Sequence, residues 1–239
     1  MCDDTGRPRV EDVTGRPGLP AGGFSAWLRR TRRAQVEGGG VRVPCGECIA
    51  CCTSSYFIHV GSGESGALRH VPKELLFPAP GLPRGNFVLG YDDQGRCPML
   101  VEGRCSIYEQ RPRTCRDYDC RVFPAAGIGA GDGDKELIDQ RARRWRFSYP
   151  AGRDRREHLA VQAAARFLRE RAGCFPAGVV PGNPAQLAVL AIKVFDVFID
   201  DPDAPDHAGR ERNDVEIAAA VVERLKRFEV GGPGRPAGP

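Results

Sequence analysis

The clearest hydrophobic pattern of the chain lies towards its C-terminal end. Apolar residues between Leu187 and Phe198 recur at the i, i+3, i+4 and i+7 spacing of one helix face. Asn183 has a side chain that can cap such a helix, and Pro184 suits its first turn. The pattern therefore predicts an amphipathic helix that begins beside Asn183.

Two further segments repeat the helical spacing less strongly, one from His158 to Arg171 and one from about Asp214 to Phe228. Together with the first, they predict a helical region over 141–229. Amphipathic helices must bury their apolar faces, so we expect these three to cover each other or the remainder of the chain.

The first half of the chain differs in composition and in hydrophobic periodicity. Phe24–Val36 suits a short basic helix, but the stretch 41–123 is dense in Gly and Pro and has little helical periodicity. Phe87–Leu89 predicts a short strand, Glu102–Arg104 predicts a hairpin turn, and Pro112 predicts the start of a helical turn. The expected fold class is α+β, with a small irregular Cys-rich module packed with a helical C-terminal region.

The changes in composition predict five segments. They are a disordered N-terminal segment (1–23), a Cys-rich metal-binding module (24–126), a Gly-rich linker (127–140), the helical region (141–229) and a disordered tail (230–239).

Composition and charge indicate where the protein is expected to act, but they do not indicate a binding partner. The net charge is a mild +4, and the preference for Arg over Lys, with high Ala, Gly and Pro, is typical of a GC-rich bacterial genome. No signal peptide or membrane-length apolar run is visible. We therefore expect a cytoplasmic protein that does not enter a membrane, and a reducing cytosol disfavours disulfides.

Cysteine residues are the candidate functional groups, because eight of the ten lie between Cys45 and Cys120. Simple burial of small apolar side chains does not explain such a density, and in a reducing compartment clustered cysteines more often bind metal or carry redox chemistry. The predicted metal ligands are Cys45, Cys48, Cys51, Cys52, Cys97, Cys105, Cys115 and Cys120.

The spacing of Cys45, Cys48 and Cys51 makes two Cys-x-x-Cys steps in succession. Three thiolates from one loop and a fourth from elsewhere suit a [4Fe–4S] cluster, while four thiolates in a tetrahedron describe a structural Zn²⁺ site equally well. We favour the iron–sulfur cluster, although spacing alone does not separate the two.

Cys52 leaves the number of centres open. In an extended loop Cys51 and Cys52 would face different centres, whereas in a helix Cys48, Cys51 and Cys52 would share a face. Eight ligands divide naturally into two four-sulfur sites, and one site with several bystander thiols is the alternative. His59 and His70, the histidines of this region, suit surface or packing positions better than ligation.

The motifs now form a recognisable combination. A Cys-x2-Cys-x2-Cys-Cys run is followed by Cys-Pro-Met-Leu at 97–100 and by Gly-Arg-Cys-Ser-Ile-Tyr-Glu-Gln-Arg-Pro-Arg-Thr-Cys-Arg at 103–116. This resembles the YkgJ-like cysteine-cluster family, a zinc- or iron-chelating domain, over residues 45–120. Asp119 departs mildly from the family, in which Pro is frequent at that position.

The resemblance implies metal chelation by those eight cysteines and says little about activity. We favour a non-catalytic role in electron transfer or metal delivery to a protein partner, since no catalytic motif is identified in the sequence. One branch of the family resembles flagellin lysine methylases, so the alternative is a cluster-containing enzyme of the methylase type.

Basic residues suggest two further points. Four arginines flank Cys115 and Cys120, namely Arg111, Arg113, Arg116 and Arg121. Cations in such positions favour thiolates and donate hydrogen bonds to metal-bound sulfur. An ordinary solvated surface explains these arginines equally well.

The run 141–156 mixes Arg with aromatic residues and could bind nucleic acid beside a zinc-stabilised module. The favoured interpretation is that the aromatic residues join a core and the Arg side chains are solvated.

Overall fold

The computed structural model describes residues 18–37, 40–41, 43, 45–131, 133–199 and 213–230. It is mixed helix and strand, which confirms the α+β class. The strands are β1 Leu19–Gly23, β2 Ile58–Val60, β3 Leu76–Pro78, β4 Phe87–Leu89, β5 Leu100–Val101, β6 Arg104–Cys105 and β7 Trp145–Ser148. The helices are α1 Phe24–Glu37, α2 Ser65–His70, α3 Arg113–Asp117, α4 Val122–Ala126, α5 Glu136–Ala142, α6 Gly152–Glu170, α7 Pro184–Val194 and α8 Asp214–Val230.

The chain divides into two compact units. The helical unit consists of the described residues within 1–37, 121–130 and 142–239. The cysteine unit consists of the described residues within 38–120 and 131–141, and it holds all eight clustered cysteines. No helix in the described part of the chain is long and apolar enough to cross a membrane.

The helical unit is built on packing between long helices. Helix α6 packs against α1, α4 and α7, and α7 also packs against α8. Small alanines at the contacts let the helices approach closely, while larger apolar side chains fill the space between them. The fully buried large side chains of this unit include Phe24, Trp27, Leu28, Phe123, Val161, Leu168, Ile192, Val194 and Val221.

Three helices match their sequence predictions. Helix α1 is the basic helix predicted from Phe24, and α8 begins at Asp214 as predicted. The predicted cap of α7 is confirmed, since the Asn183 side chain accepts hydrogen bonds from the backbone N–H groups of Ala185 and Gln186 at 3.0 and 3.1 Å.

Helix α6 begins six residues before the predicted start, at Gly152. The Asp154 carboxylate accepts hydrogen bonds from the Ala151 N–H at 3.1 Å and from the Ser25 N–H at 2.9 Å. This carboxylate satisfies an otherwise open donor at the helix start, so a charged turn without apolar periodicity becomes helical.

The N-terminal segment is partly ordered, in contrast to the disorder expected over 1–23. Strand β1 pairs in parallel with β7, and the Leu19 N–H donates to the Arg144 carbonyl at 2.8 Å. The pairing partner lies far along the chain, which is why local composition does not reveal the strand. Residues 1–17 and 231–239 lie outside the described residues.

The cysteine unit consists of short elements around a small core. Strand β4 lies between β2 and β3 in an antiparallel sheet, and β5 and β6 form the predicted hairpin, with Arg104 belonging to β6 rather than to the turn. The helical turn predicted at Pro112 is α3. The core consists of Ile58, Val60, Ala67, Val71, Leu89, Met99 and Ile107.

Residues 127–140, interpreted as a Gly-rich linker, contain regular structure. Gly127 ends α4 in the left-handed region, with φ of 67°. The chain then makes a 3-10 turn over Gly133–Lys135 and continues as α5, where the Ile138 side chain is fully buried. Residues 131–141 belong to the cysteine unit.

Candidate metal centre

The loop that carries the first four cysteines folds by local backbone hydrogen bonds. The Cys48 N–H donates to the Cys45 carbonyl at 3.0 Å, which closes the first Cys-x-x-Cys step as a turn. Gly46 lies in that turn with φ of 56°, a conformation that glycine adopts without strain. The turn therefore brings two cysteines of the motif together.

Cys51 and Cys52 lie in a 3-10 helix, Ala50–Thr53. A 3-10 helix has three residues per turn, so successive side chains diverge by about 120°. This geometry differs from both alternatives considered from the sequence, the extended loop and the α-helix. It directs the two adjacent thiols to different surroundings.

The other four cysteines lie at separate places in the fold: Cys97 before β5, Cys105 on β6, Cys115 on α3 and the buried Cys120 between α3 and α4. The Cys97 N–H donates to the Cys52 carbonyl at 2.6 Å, and Cys105 on β6 lies opposite Leu100 in the hairpin. Cys115 lies on α3, and its N–H donates to the Pro112 carbonyl at 3.0 Å. Cys97, Cys105 and Cys115 all pack against the core of the cysteine unit.

Charge interactions place Cys51 in one group of thiols. Desolvation of the Cys51 thiol raises its pKa well above the ordinary value although the residue is exposed, and neighbouring sulfurs raise that pKa further. Cys48 also raises the pKa of Cys45, whose shift comes first from burial. The sulfurs that act on Cys51 are, in decreasing order, those of Cys120, Cys48, Cys45 and Cys52.

Cys52 belongs to a second group. Burial raises the pKa of Cys52 to about 12, and the neighbours that contribute most are Cys97 and Cys105. Burial also raises the pKa of Cys115 to about 12, again with contributions from Cys97, Cys52 and Cys105.

We group the eight thiols by these charge interactions into two sets of four, which overlap through Cys52. The first thiol set is Cys45, Cys48, Cys51 and Cys120. The second thiol set is Cys52, Cys97, Cys105 and Cys115. Cys52 also feels the sulfurs of Cys48 and Cys45, so the two sets are close to each other.

None of the nine cysteines that the structure describes is in a disulfide. Across the same described residues, no three His, Cys, Asp or Glu side chains are already arranged to hold a metal ion. Raised pKa values keep the shifted thiols neutral at pH 7, and neutral thiols have no electrostatic reason to converge on one point. A cation that displaced the protons would supply that reason.

An unsatisfied donor beside the thiols tests whether a metal–thiolate group fits here. The Nε atom of Arg111 is buried and has no hydrogen-bond partner. The Arg111 charge lowers the pKa of both Cys45 and Cys115, against the larger effect of burial. Thiolate sulfurs that carry the negative charge of a metal centre are suitable acceptors for this N–H, so the donor set and its surroundings fit such a group.

The other arginines noted in the sequence have different surroundings. Arg113 Nε pairs with the Asp117 carboxylate at 2.9 Å and is exposed. Arg116 donates to the Arg111 carbonyl at 2.7 Å, and Arg121 belongs to the helical unit, where its guanidinium lies 5.7 Å from the centre of the Trp145 ring.

Three residues near the first thiol set were not predicted from the sequence to lie there. The Arg141 Nη2 atom donates to the Cys45 carbonyl at 3.0 Å from 96 positions along the chain. Lys135 donates to the Ser54 carbonyl and lies 4.0 Å from the centre of the Tyr56 ring. Tyr118 is mostly buried, which raises the pKa of its phenol, and Cys51 and Cys120 raise it further. No local motif signals contacts of this range.

The two histidines of the region each form a hydrogen bond within the cysteine unit. His59 Nε2 is hydrogen-bonded to the Asn86 side-chain oxygen at 3.0 Å, and His70 Nδ1 is bonded to the Gly66 carbonyl at 2.8 Å.

The basic and aromatic run contributes a strand, β7, where a helix was the favoured interpretation. Its Trp145 side chain is buried, and Phe147 packs on Phe24 at a ring distance of 4.9 Å. These rings belong to the core of the helical unit, although Tyr149 is exposed. Binding of nucleic acid through 141–156 stays a prediction.

The cysteine-rich part of the chain is similar to a known family. Residues 44–142 match the family model CxxCxxCC, described as a "Putative zinc- or iron-chelating domain". No curated protein and no solved structure matches the chain. The matched segment contains both thiol sets together with Arg111 and Arg141, and its family description supports metal binding in general terms.

Proposed function

We propose that the cysteine unit binds two metal centres, each through four thiolates. The first thiol set would hold one centre and the second thiol set the other. The observation that carries this proposal is the separation of Cys51 from Cys52, because each of these adjacent residues interacts most strongly with a different group of cysteines.

Iron–sulfur clusters are our preferred occupants, and [4Fe–4S] is the preferred type. The first set takes three ligands from one loop and a distant fourth, Cys120, which suits such a cluster. Zinc is the other candidate, because four thiolates also suit tetrahedral Zn²⁺. Either metal would be held by deprotonated thiols, so binding would release protons.

Electron transfer, or delivery of metal to a protein partner, is the role we propose for these centres. A bound cluster would supply one-electron chemistry. One peptide bond joins Cys51 of the first set to Cys52 of the second, so the chain itself would provide a short connection between the two centres. Of the eight thiols, Cys120 is buried, Cys51 is exposed and the others are half-buried. Partial exclusion of water around a bound cluster would tune its redox potential.

Anaerobic purification followed by iron, sulfide and zinc analysis tests the proposal. We expect two centres per chain, with the broad visible absorption of iron–sulfur clusters. Cys48→Ser and Cys115→Ser should each remove one centre and leave the other. Cys174→Ser, in the helical unit, is the matched control and should remove none.

Several outcomes would contradict parts of the proposal. A colourless protein with two zinc ions would exclude the clusters and retain the two sites. If Cys48→Ser and Cys115→Ser each abolished all metal binding, one joint centre would replace two. Full metal content in both variants would exclude metal binding by the two thiol sets.

A further inference from the structure

Arg111 is held in place by contacts of its backbone and of its side chain. Its carbonyl accepts a hydrogen bond from Arg116 at 2.7 Å, and its guanidinium carbon lies 3.8 Å from the centre of the Tyr108 ring. The next residue, Pro112, is buried, and the residue before a proline is restricted to extended conformations. Arg111 has φ of −57° and ψ of 146°, as this restriction requires.

The position of Arg111 leaves one polar group unsatisfied. Its Nε–H is buried without an acceptor, which is unfavourable for a charged donor. Stacking on Tyr108 occupies the face of the guanidinium and does not provide an acceptor in its plane.

The charge of Arg111 reaches both thiol sets. The Cys115 N–H donates to the carbonyl of Pro112, the residue after Arg111, at 3.0 Å. The Arg111 charge also lowers the pKa of Cys115 in the second set and of Cys45 in the first. The neighbouring Arg113 is instead neutralised by Asp117 at the surface, and Arg116 lies 3.7 Å from the Glu64 carboxylate. Arg113 and Arg116 thus have carboxylate partners, so Arg111 differs from them.

We propose that Arg111 is a cation shared by the two metal centres, an inference that rests on the proposed function. Its Nε–H donates to a metal-bound thiolate, and its positive charge stabilises both four-thiolate groups. A divalent metal with four thiolates carries two net negative charges, so two such centres repel each other. A cation that interacts with both offsets this repulsion and lets both sets fill.

The test measures the affinity of each set separately. Cys48→Ser leaves only the second set complete, and Cys115→Ser leaves only the first. In each background, Arg111→Gln is compared with Arg113→Gln by titrating the reduced full-length chain with Zn²⁺ against a chromophoric chelator. We expect Arg111→Gln to weaken Zn²⁺ binding by about 10- to 100-fold in both backgrounds. Arg113→Gln should leave both affinities within about twofold of the parent, as a screened surface charge does.

Arg111→Lys separates charge from a purely structural role. It retains the positive charge and should recover most of the affinity that Arg111→Gln loses. Circular dichroism checks that each variant folds. If Arg111→Gln does not fold, Arg111→Met replaces it, because its length and apolar stem preserve packing on Tyr108.

The possible negative results distinguish failure of the shared-cation role from failure of the proposed two-centre function. Weakening in one background alone, or equal weakening by Arg111→Lys and Arg111→Gln, would overturn the shared-cation role. Identical affinities for the Arg111→Gln and Arg113→Gln variants would also overturn it while leaving the two sites intact. If neither parent background binds Zn²⁺, the proposed two-centre function fails instead.

Discussion

The helical unit and the cysteine unit use different sources of structural order. The helical unit has helices of up to 19 residues, in α6, and a broad core of packed apolar side chains. The longest helix of the cysteine unit, α5, has seven residues, and its buried apolar cluster contains seven side chains. Packing is the main source of stability in the first, whereas the second has little core for its size.

The small core of the cysteine unit gives a reason for its eight concentrated thiols. Four ligands on one metal connect loops that share few apolar contacts, and metal binding contributes directly to folding free energy. We therefore expect the two units to respond differently to metal, to pH and to side-chain truncation.

Metal removal should separate the two units most clearly. Stripping the reduced protein with a strong chelator should destabilise the cysteine unit by several kcal/mol, because the ligands lose their common centre. Hydrogen exchange should then accelerate across 45–120 and change little in α6 and α7. Equal acceleration in both units would contradict the division of roles.

High pH should destabilise the metal-free cysteine unit. The pKa values of Cys52 and Cys115 are raised from 9.0 to about 12, so their stabilising effect is complete below pH 9 and is lost as pH rises towards 12. Between pH 9 and 12, two such thiols would together lower the free energy of unfolding by at most about 3 kcal/mol per pH unit. The loss is smaller where solvent reaches the partly buried thiols.

Urea unfolding under anaerobic conditions measures this effect. Both tryptophans, Trp27 and Trp145, lie in the helical unit, so their fluorescence reports that unit, while circular dichroism reports both. The double variant Cys52→Ser, Cys115→Ser should show a shallower pH dependence by circular dichroism. An unchanged slope would show that other groups control alkaline unfolding.

Truncation of Leu168 should affect the helical unit alone. This side chain is fully buried, so Leu168→Ala should lower the free energy of unfolding by about 3 kcal/mol through lost burial and a cavity. Metal content should not change. Leu159→Ala, at an exposed position of the same helix, is the control and should cost under about 0.5 kcal/mol.

Acid should weaken the start of α6. Two backbone N–H groups, of Ser25 and Ala151, hold the pKa of Asp154 below its ordinary value, so this stabilisation is present above that value and is lost as pH falls through the lowered pKa. Asp154→Asn should cost about 1–2 kcal/mol at pH 7 and little at pH 2. Tryptophan-monitored urea unfolding measures both, with Glu170→Gln as the exposed control on the same helix. A constant difference at the two pH values would be inconsistent with this role.

Hydrophobic periodicity in the sequence is sufficient to predict much of the helical unit. It located α7 and α8, because their apolar faces follow a local repeat that packing preserves. It missed β1 and the first turn of α6, since both depend on residues remote in the chain. Leu19 is bonded to Arg144, and the N–H of Ser25 is bonded to Asp154.

The candidate site was accessible from sequence in part. Thiol density and motif spacing predict eight candidate ligands, but the proposed division into two sets depends on the 3-10 conformation at Cys51 and Cys52. The contact of Arg141 with the Cys45 carbonyl arises from chain folding across 96 positions and has no local signature. Side-chain direction and remote contacts are set by tertiary structure, which spacing does not encode.

The parallel pairing of β1 with β7 has a consequence for the order of folding. The Ser25–Asp154 hydrogen bond beside it joins residues 129 positions apart, so the helical unit closes a loop that contains the entire cysteine unit. The entropy cost of closing a flexible loop grows with the logarithm of its length. Prior folding of the intervening segment shortens the effective loop. Loading metal during synthesis would therefore speed completion of the helical unit without adding a contact to it.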